Sequence, residues 1–345
     1  MLERIIEKAS NVRASDIHLV SNQPPKVRID GELVSLEGET SLSENDCVNI
    51  AREICGYDFP SCGEADLAFE KAGRRLRANV YRRSGSISCA LRILSDKIPA
   101  LESLGLPPAV LDFSELRRGI VLVTGETGSG KSTTLASVLD RINETRRAHI
   151  LTLEDPIEYI HKPKNCLVNQ REIGNDTRSF ADGLRAALRE DPDVILIGEM
   201  RDPETIETAL TAAETGHLVF ATLHTSSAAD SIDRIVDVFP AERQKQIRMQ
   251  LSMTLQAVLT QQLLPKTGGG RAAACELMIV TTAIRNLIRE GKTPQIANAI
   301  ATSAASGSVT MDNSIIRLCK QGSVSFQTAQ SFAMDADYVR RGTVN

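Results

Sequence analysis

The 345-residue chain has no tryptophan, and its aromatics amount to only 3%. Its cores must therefore be aliphatic, and platforms that stack bases on aromatic rings have little to be built from. An excess of positive charge is missing too. Forty Lys and Arg against 44 Asp and Glu leave a net charge of −4 and a pI near 5.9. This argues against a protein devoted to gripping nucleic acid, though not against a local basic channel. No apolar run approaches the roughly 18 residues needed to cross a bilayer. The opening Met1-Leu2-Glu3-Arg4-Ile5-Ile6-Glu7-Lys8 interleaves charged and apolar residues, unlike a secretory signal. A cytoplasmic chain that meets a membrane only through partners is the expectation. Its seven cysteines form no C-x-x-C pair, so neither a zinc site nor a redox couple is signalled, and reduced thiols are expected.

Against these absences stands one dense motif. Gly125-Glu126-Thr127-Gly128-Ser129-Gly130-Lys131-Ser132-Thr133 fits the P-loop pattern G-x-x-x-x-G-K-[ST]. The apolar run Gly119–Thr124 before it reads as a buried strand, and Thr134–Leu139 after it reads as a helix. That context suits a phosphate cradle: backbone N–H groups turn inward and the helix N-terminus adds partial positive charge. Thr127, Gly128, Ser129, Gly130, Lys131, Ser132 and Thr133 are thus candidate ATP-binding residues. Lys131 suits the β- and γ-phosphates, and the Ser132 hydroxyl suits Mg²⁺.

The rest of the chain divides in two. Residues 1–95 read as a small α/β domain. Helices are expected at Glu3–Ser10 and Glu44–Ile54, and strands at Ile17–Val20, Lys26–Ile29 and Glu32–Val34, with Asp30-Gly31 as a hairpin turn. Leu76–Tyr81 and Ser86–Leu94 read as an antiparallel pair. Residues 96–108, with Pro99, Gly105, Pro107 and Pro108, read as a linker. From 109 to 345 strands and helices alternate, which predicts a parallel sheet covered by helices. A helical tail is expected from about Ala283.

Three further segments each follow a predicted strand, where ligands gather in open α/β sheets. Glu154-Asp155-Pro156-Ile157-Glu158 sets three carboxylates past a strand end, able to orient a water or hold Mg²⁺. Val194-Ile195-Leu196-Ile197-Gly198-Glu199 has the Walker B form, four apolar residues leading to an acid, so Glu199 is a candidate for supporting Mg²⁺. His217 and His224 bracket a strand. Their seven-residue offset puts them on opposite faces, so they are no metal pair. Sensing the γ-phosphate is one role open to them, and a structural role is the other.

Together these segments, with Ala14-Ser15-Asp16-Ile17-His18-Leu19 near the start, resemble the type IV pilus and type II secretion motor ATPases over nearly the whole chain. The resemblance implies an α/β fold with a PAS-like N-terminal domain and a RecA-like P-loop NTPase domain. Ala283-Ile284-Arg285-Asn286-Leu287-Ile288-Arg289-Glu290 is similar to a C-terminal signature of the retraction branch, the twitching-motility ATPases. The stretch Ala304–Asp312 departs from this pattern, being only loosely like the family's usual tail. Carried over by position, Glu158 is the general base and Glu199 supports Mg²⁺ and the water. Arg77 and Arg92 are implied to be arginines brought to a nucleotide site, with Arg118 and Arg234 as weaker candidates. The resemblance further implies a homohexameric ring whose domains close on ATP. Its partners would be an inner-membrane platform protein and, indirectly, pilin. An assembly or secretion motor is the alternative; the extra N-terminal domain and four-cysteine module such motors carry are not seen. A nucleic-acid motor predicts DNA-stimulated hydrolysis, and a non-hydrolysing regulator would need misplaced acids.

Overall fold

The computed structural model describes every residue except Asp30, Ser61, Cys62, Ser95, Asp96 and Asn345, together with the side chain of Val344. The chain separates into two units: Met1–Lys97 with Pro156–Ile160, and Ile98–Asp155 with His161–Asn345.

The first unit opens with α1 (Leu2–Asn11), whose Leu2, Ile5, Ile6 and Ala9 recur at helical spacing and are all buried. Strands β1 (Asp16–Val20), β2 (Lys26–Ile29) and β3 (Glu32–Ser35) follow. Helix α2 (Glu44–Cys55) starts at a capping box in which Ser43 and Asp46 satisfy each other's backbone N–H, and it stops at left-handed Gly56. Then come β4 (Glu64–Lys71), β5 (Arg74–Arg83) and β6 (Ser86–Ile93). The six strands form an antiparallel sheet in the order β3-β2-β1-β6-β5-β4. One face carries the aliphatic core shared with α1 and α2; the other is polar. The β2–β3 hairpin is present, but Asp30 of its expected turn lies outside the described residues. The edge strand β4 was not anticipated, although Ala65, Leu67 and Phe69 alternate with polar or smaller residues as a half-buried strand should.

The second unit begins at Ile98. Of the expected linker over 96–108, Asp96 lies outside the described residues and Ile98 onward groups with the second unit. From Ile98 it packs in 3₁₀ turns at Leu101–Leu104 and Pro108–Glu115. The Ser137 hydroxyl donates to Pro99 O at 2.7 Å, and Arg141 pairs with Glu102. The parallel core is built from β7 (Gly119–Thr124), α3 (Lys131–Thr145), β8 (His149–Glu154), β9 (Leu167–Glu172), α4 (Phe180–Ala187), β10 (Val194–Ile197), α5 (Pro203–Glu214) and β11 (Leu218–Leu223). After α6 (Ala228–Asp237) and α7 (Ala241–Thr254) comes a hairpin of β12 (Leu255–Pro265) and β13 (Arg271–Ile279). The sheet order is β13-β12-β7-β11-β10-β8-β9, with only β13 antiparallel. The central strands are buried at every position because helices cover both faces, so their sequences read as unbroken apolar runs. Alternate residues feed two cores, Ile120 and Leu122 into one, Val121 and Val123 into the other. The tail is helical: α8 (Thr282–Glu290), α9 (Ile296–Thr302), α10 (Met311–Lys320), α11 (Phe326–Phe332) and α12 (Ala336–Val344). Its last three helices pack on the ends of the β12–β13 hairpin.

Candidate nucleotide site

Strands β7, β11, β10 and β8 are neighbours and parallel, so the segments leaving their carboxyl ends meet along one edge of the sheet. The P-loop leaves β7. Gly125 has φ +135° and an added Cβ would stand 2.4 Å from Gln261 O, so only glycine lets β12 lie this close to the loop. Gly130 is the left-handed N-cap of α3, and no side chain caps that helix. The N-terminus of α3, with its partial positive charge, therefore opens directly onto the glycine loop. Lys131 is buried, and its Nζ donates to Gly125 O at 2.7 Å and Glu126 O at 2.9 Å. This folds the ammonium across the cradle. Ser129 is buried with a hydroxyl that has no partner. Thr127 and Gly128 are exposed, while Ser132 and Thr133 are half-buried on the first turn of α3.

Glu199 follows β10. Partial burial works against its charge. The Arg201 hydrogen bond (2.6 Å), with His224 and Lys131 close by, nonetheless holds its carboxyl below the usual carboxylate range. His224 Nε2 lies 3.4 Å from Glu199 Oε1, so the end of β11 touches the acid beyond β10. The two segments are locked further by Met200 N donating to Thr222 O at 3.2 Å and by the Thr222 hydroxyl bonding Gly198 O. Gly198 N in turn donates to Leu153 O at 2.7 Å. Lys131, Glu199 and His224 are thus brought together.

The other residues fall elsewhere. His217 precedes β11 at the opposite edge of the sheet, roughly 20 Å of strand from the P-loop. Its Nδ1 lies 3.0 Å from Ala212 O and 3.2 Å from Thr215 Oγ1. The expected nucleotide contact of His217 is therefore corrected: its ring closes the turn between α5 and β11. Of the three acids at and beyond the end of β8, Glu154 is already occupied by the Thr152 hydroxyl (2.7 Å) and Gln170 Nε2 (3.1 Å). Glu158 lies in the short stretch that groups with the first unit, where Arg75 Nε donates to Ile157 O at 3.2 Å.

Arg77 and Arg92 face each other as direct partners on β5 and β6. Two like charges in register repel, and each is met by a carboxylate. Arg77 grips Asp66 through Nε and Nη2 at 3.0 and 2.6 Å; Arg92 Nε meets Asp16 at 2.9 Å. An acid–Arg–Arg–acid row therefore crosses β4, β5, β6 and β1. One residue was missed by sequence reasoning. Glu276 on β13 is half-buried and accepts Ala228 N at 2.8 Å, holding the first turn of α6 directly after the His224 loop. An acid in an otherwise apolar strand was the available signal. Among the described residues no group of His, Cys, Asp and Glu could hold a metal by itself, and no helix is long and apolar enough to cross a membrane.

A glycine cradle capping α3, a buried lysine folded over it and a charged acid beyond the end of β10 define a P-loop nucleoside triphosphatase core. The chain belongs to the type II/IV secretion system protein family, whose model matches residues 1–268. It is 49% identical over 324 residues to the type IV pilus retraction ATPase PilT of Pseudomonas aeruginosa, covering 93% of this chain and 94% of that one. Likewise it is 51% identical over 319 residues to a twitching motility protein of Neisseria gonorrhoeae, with 91% and 85% covered. A crystal structure of the pilus retraction motor PilT with bound ADP superposes with a TM-score of 0.89 at 48% identity, covering 99% of both chains. The α/β architecture of N-terminal domain plus ATPase domain is accordingly the one the motifs implied.

Proposed function

We propose that this chain is an ATP-hydrolysing motor that drives pilus retraction. The observation that carries the reading is the intact constellation of P-loop, Lys131 and charged Glu199 in a chain matched nearly end to end by retraction ATPases. Thr127–Thr133 hold the phosphates, with Lys131 leaving its loop carbonyls for the β- and γ-phosphates. Ser132 and Glu199 fit Mg²⁺, a hard ion that takes oxygen ligands and keeps several waters. When bound, the ion supplies neutralising charge to the phosphates. Glu158 orients and deprotonates the attacking water. His224, in contact with Glu199, passes the loss of the γ-phosphate to β11 and α6.

Arg77 and Arg92 exchange their carboxylate partners for phosphoryl oxygens, which suit a planar, permanently charged fork. The domains 1–95 and 109–345 move with nucleotide state in a homohexamer seated through a platform protein at the inner-membrane face, removing pilin from the pilus base. The test is a count of surface pili on cells lacking this chain. Excess pili that no longer retract are expected. Bare cells would instead assign the chain to assembly.

A further inference from the structure

Two arginine pairs, distant in sequence, share the edge of the second unit's sheet that lies away from the P-loop. Arg117-Arg118 lead into β7, and Arg146-Arg147 follow α3 and lead toward β8. The strands run parallel, so both pairs stand at amino ends. Arg118 is thus the length of β7 away from the P-loop of its own chain. Arg146 joins the pairs, its Nη1 donating to Leu116 O at 2.9 Å. Arg117, Arg118 and Arg147 are exposed, and none of the four makes an ion pair among the described residues. Arg146 Nε is buried without a hydrogen-bond partner. The carboxylates near Arg146 are Glu115 and Asp193, and Asp193 already accepts His149 N at 2.8 Å. The C-terminus of α3 favours a cation, which accounts for Arg146 but not for three more exposed guanidinium groups. An apolar side chain stands at the same edge. Leu167 opens β9 in register with His149, and its N–H donates to Ala148 O at 3.0 Å. Ala148 directly follows Arg147, yet Leu167 is 59% exposed.

We propose that this edge docks on an anionic phospholipid surface, with Arg117, Arg118 and Arg147 at headgroup phosphates and Leu167 inserted between the headgroups. Guanidinium suits phosphate because its planar fork donates two hydrogen bonds and keeps its charge. Peripheral proteins grip a bilayer by this combination, cations at the headgroups and an apolar side chain at the acyl boundary. Carboxylates alone would satisfy the arginines; the exposed leucine favours a surface with an apolar layer beneath its charges. The chain carries a net charge of −4, so the attraction comes from this edge and not from the molecule as a whole. On this reading the chain meets a membrane directly and not only through partners. The docking needs no nucleotide and stands apart from the motor reading.

Flotation of the full chain with vesicles tests this, using phosphatidylcholine alone and phosphatidylcholine mixed with phosphatidylglycerol. Binding is expected only to the anionic vesicles, and it should fall as salt rises. Arg117→Ala and Arg147→Ala are each expected to weaken it about fivefold. Leu167→Ser is expected to weaken it about tenfold. ADP affinity should be unchanged in all three variants, which shows that their fold is intact. Failure of the parent chain to bind anionic vesicles, or equal binding by the parent and all three variants, would overturn the proposal. Preference for poly-glutamate over the vesicles would overturn it too, and would assign the edge to an acidic protein.

Discussion

The proposed mechanism takes Arg77 and Arg92 away from their present partners to a phosphoryl group. Each is tied to a carboxylate, yet Arg92 is 66% exposed, and such surface pairs contribute only about 0–1 kcal/mol. Little holds it back from a phosphoryl group. Replacing Arg92 by Ala is expected to leave the melting temperature nearly unchanged while lowering kcat by about tenfold or more. Full ATPase activity in the variant would remove it from the reaction. Glu158→Gln is expected to lower kcat and to leave ADP binding intact, because a base acts on the water and not on the phosphates. Titration calorimetry beside a phosphate-release assay reads both.

Glycine and buried polar contacts decide how neighbouring elements meet. Gly125 joins β7 to the P-loop where β12 passes close, and its φ of +135° is one that L side chains rarely adopt. Gly125→Ala should therefore fold with a displaced loop and bind ADP at least tenfold more weakly, by clash and strain together. Unchanged affinity would show that the loop can shift without cost. Between β13 and α6 the critical contact is Glu276 to Ala228 N. Burial raises the Glu276 carboxyl above its usual value, and the nearby Asp230 and Asp312 add to this against the bond from Ala228. The folded chain thus holds that proton more tightly than the unfolded chain does. Its contribution to stability is full below about pH 4 and is lost as pH rises through the raised folded value. Glu276→Gln keeps an acceptor for Ala228 N without the charge. The variant's melting temperature should gain on that of the parent as pH increases from 4 to 8. A constant difference would mean that the carboxyl does not titrate against folding.

For the molecule as a whole, Pro156–Ile160 group with the first unit, so Glu158 and the P-loop belong to different units. The proposed mechanism uses both, and a motor that couples domain closure to hydrolysis is the form it takes. The proposed ring predicts a particle of six times the 37.5 kDa of one chain by light scattering in the presence of ATP and Mg²⁺. A monomer with undiminished ATPase activity at every concentration would exclude the ring as the working form.

Local chemistry was enough to locate most of this protein. The P-loop glycines, the apolar runs of β7, β10 and β11 and the acid at Glu199 are signals written in consecutive residues, since a doubly covered strand must be apolar throughout and a phosphate loop must turn sharply. Helix α1 and the β5–β6 pair were legible for the same reason, through periods of 3.6 and 2. Strand β4, the β12–β13 hairpin and the packed course of residues 98–108 were not. An edge strand is half exposed, and proline-rich turns look alike whether free or docked. His217 was a nucleotide candidate because it and His224 bracket a strand in the nucleotide domain, but a strand has two ends, and only the parallel pairing of β11 with β7 shows which end the P-loop shares. Glu276 was not legible either, because its contact with Ala228 N exists only once folding brings β13 and α6 together.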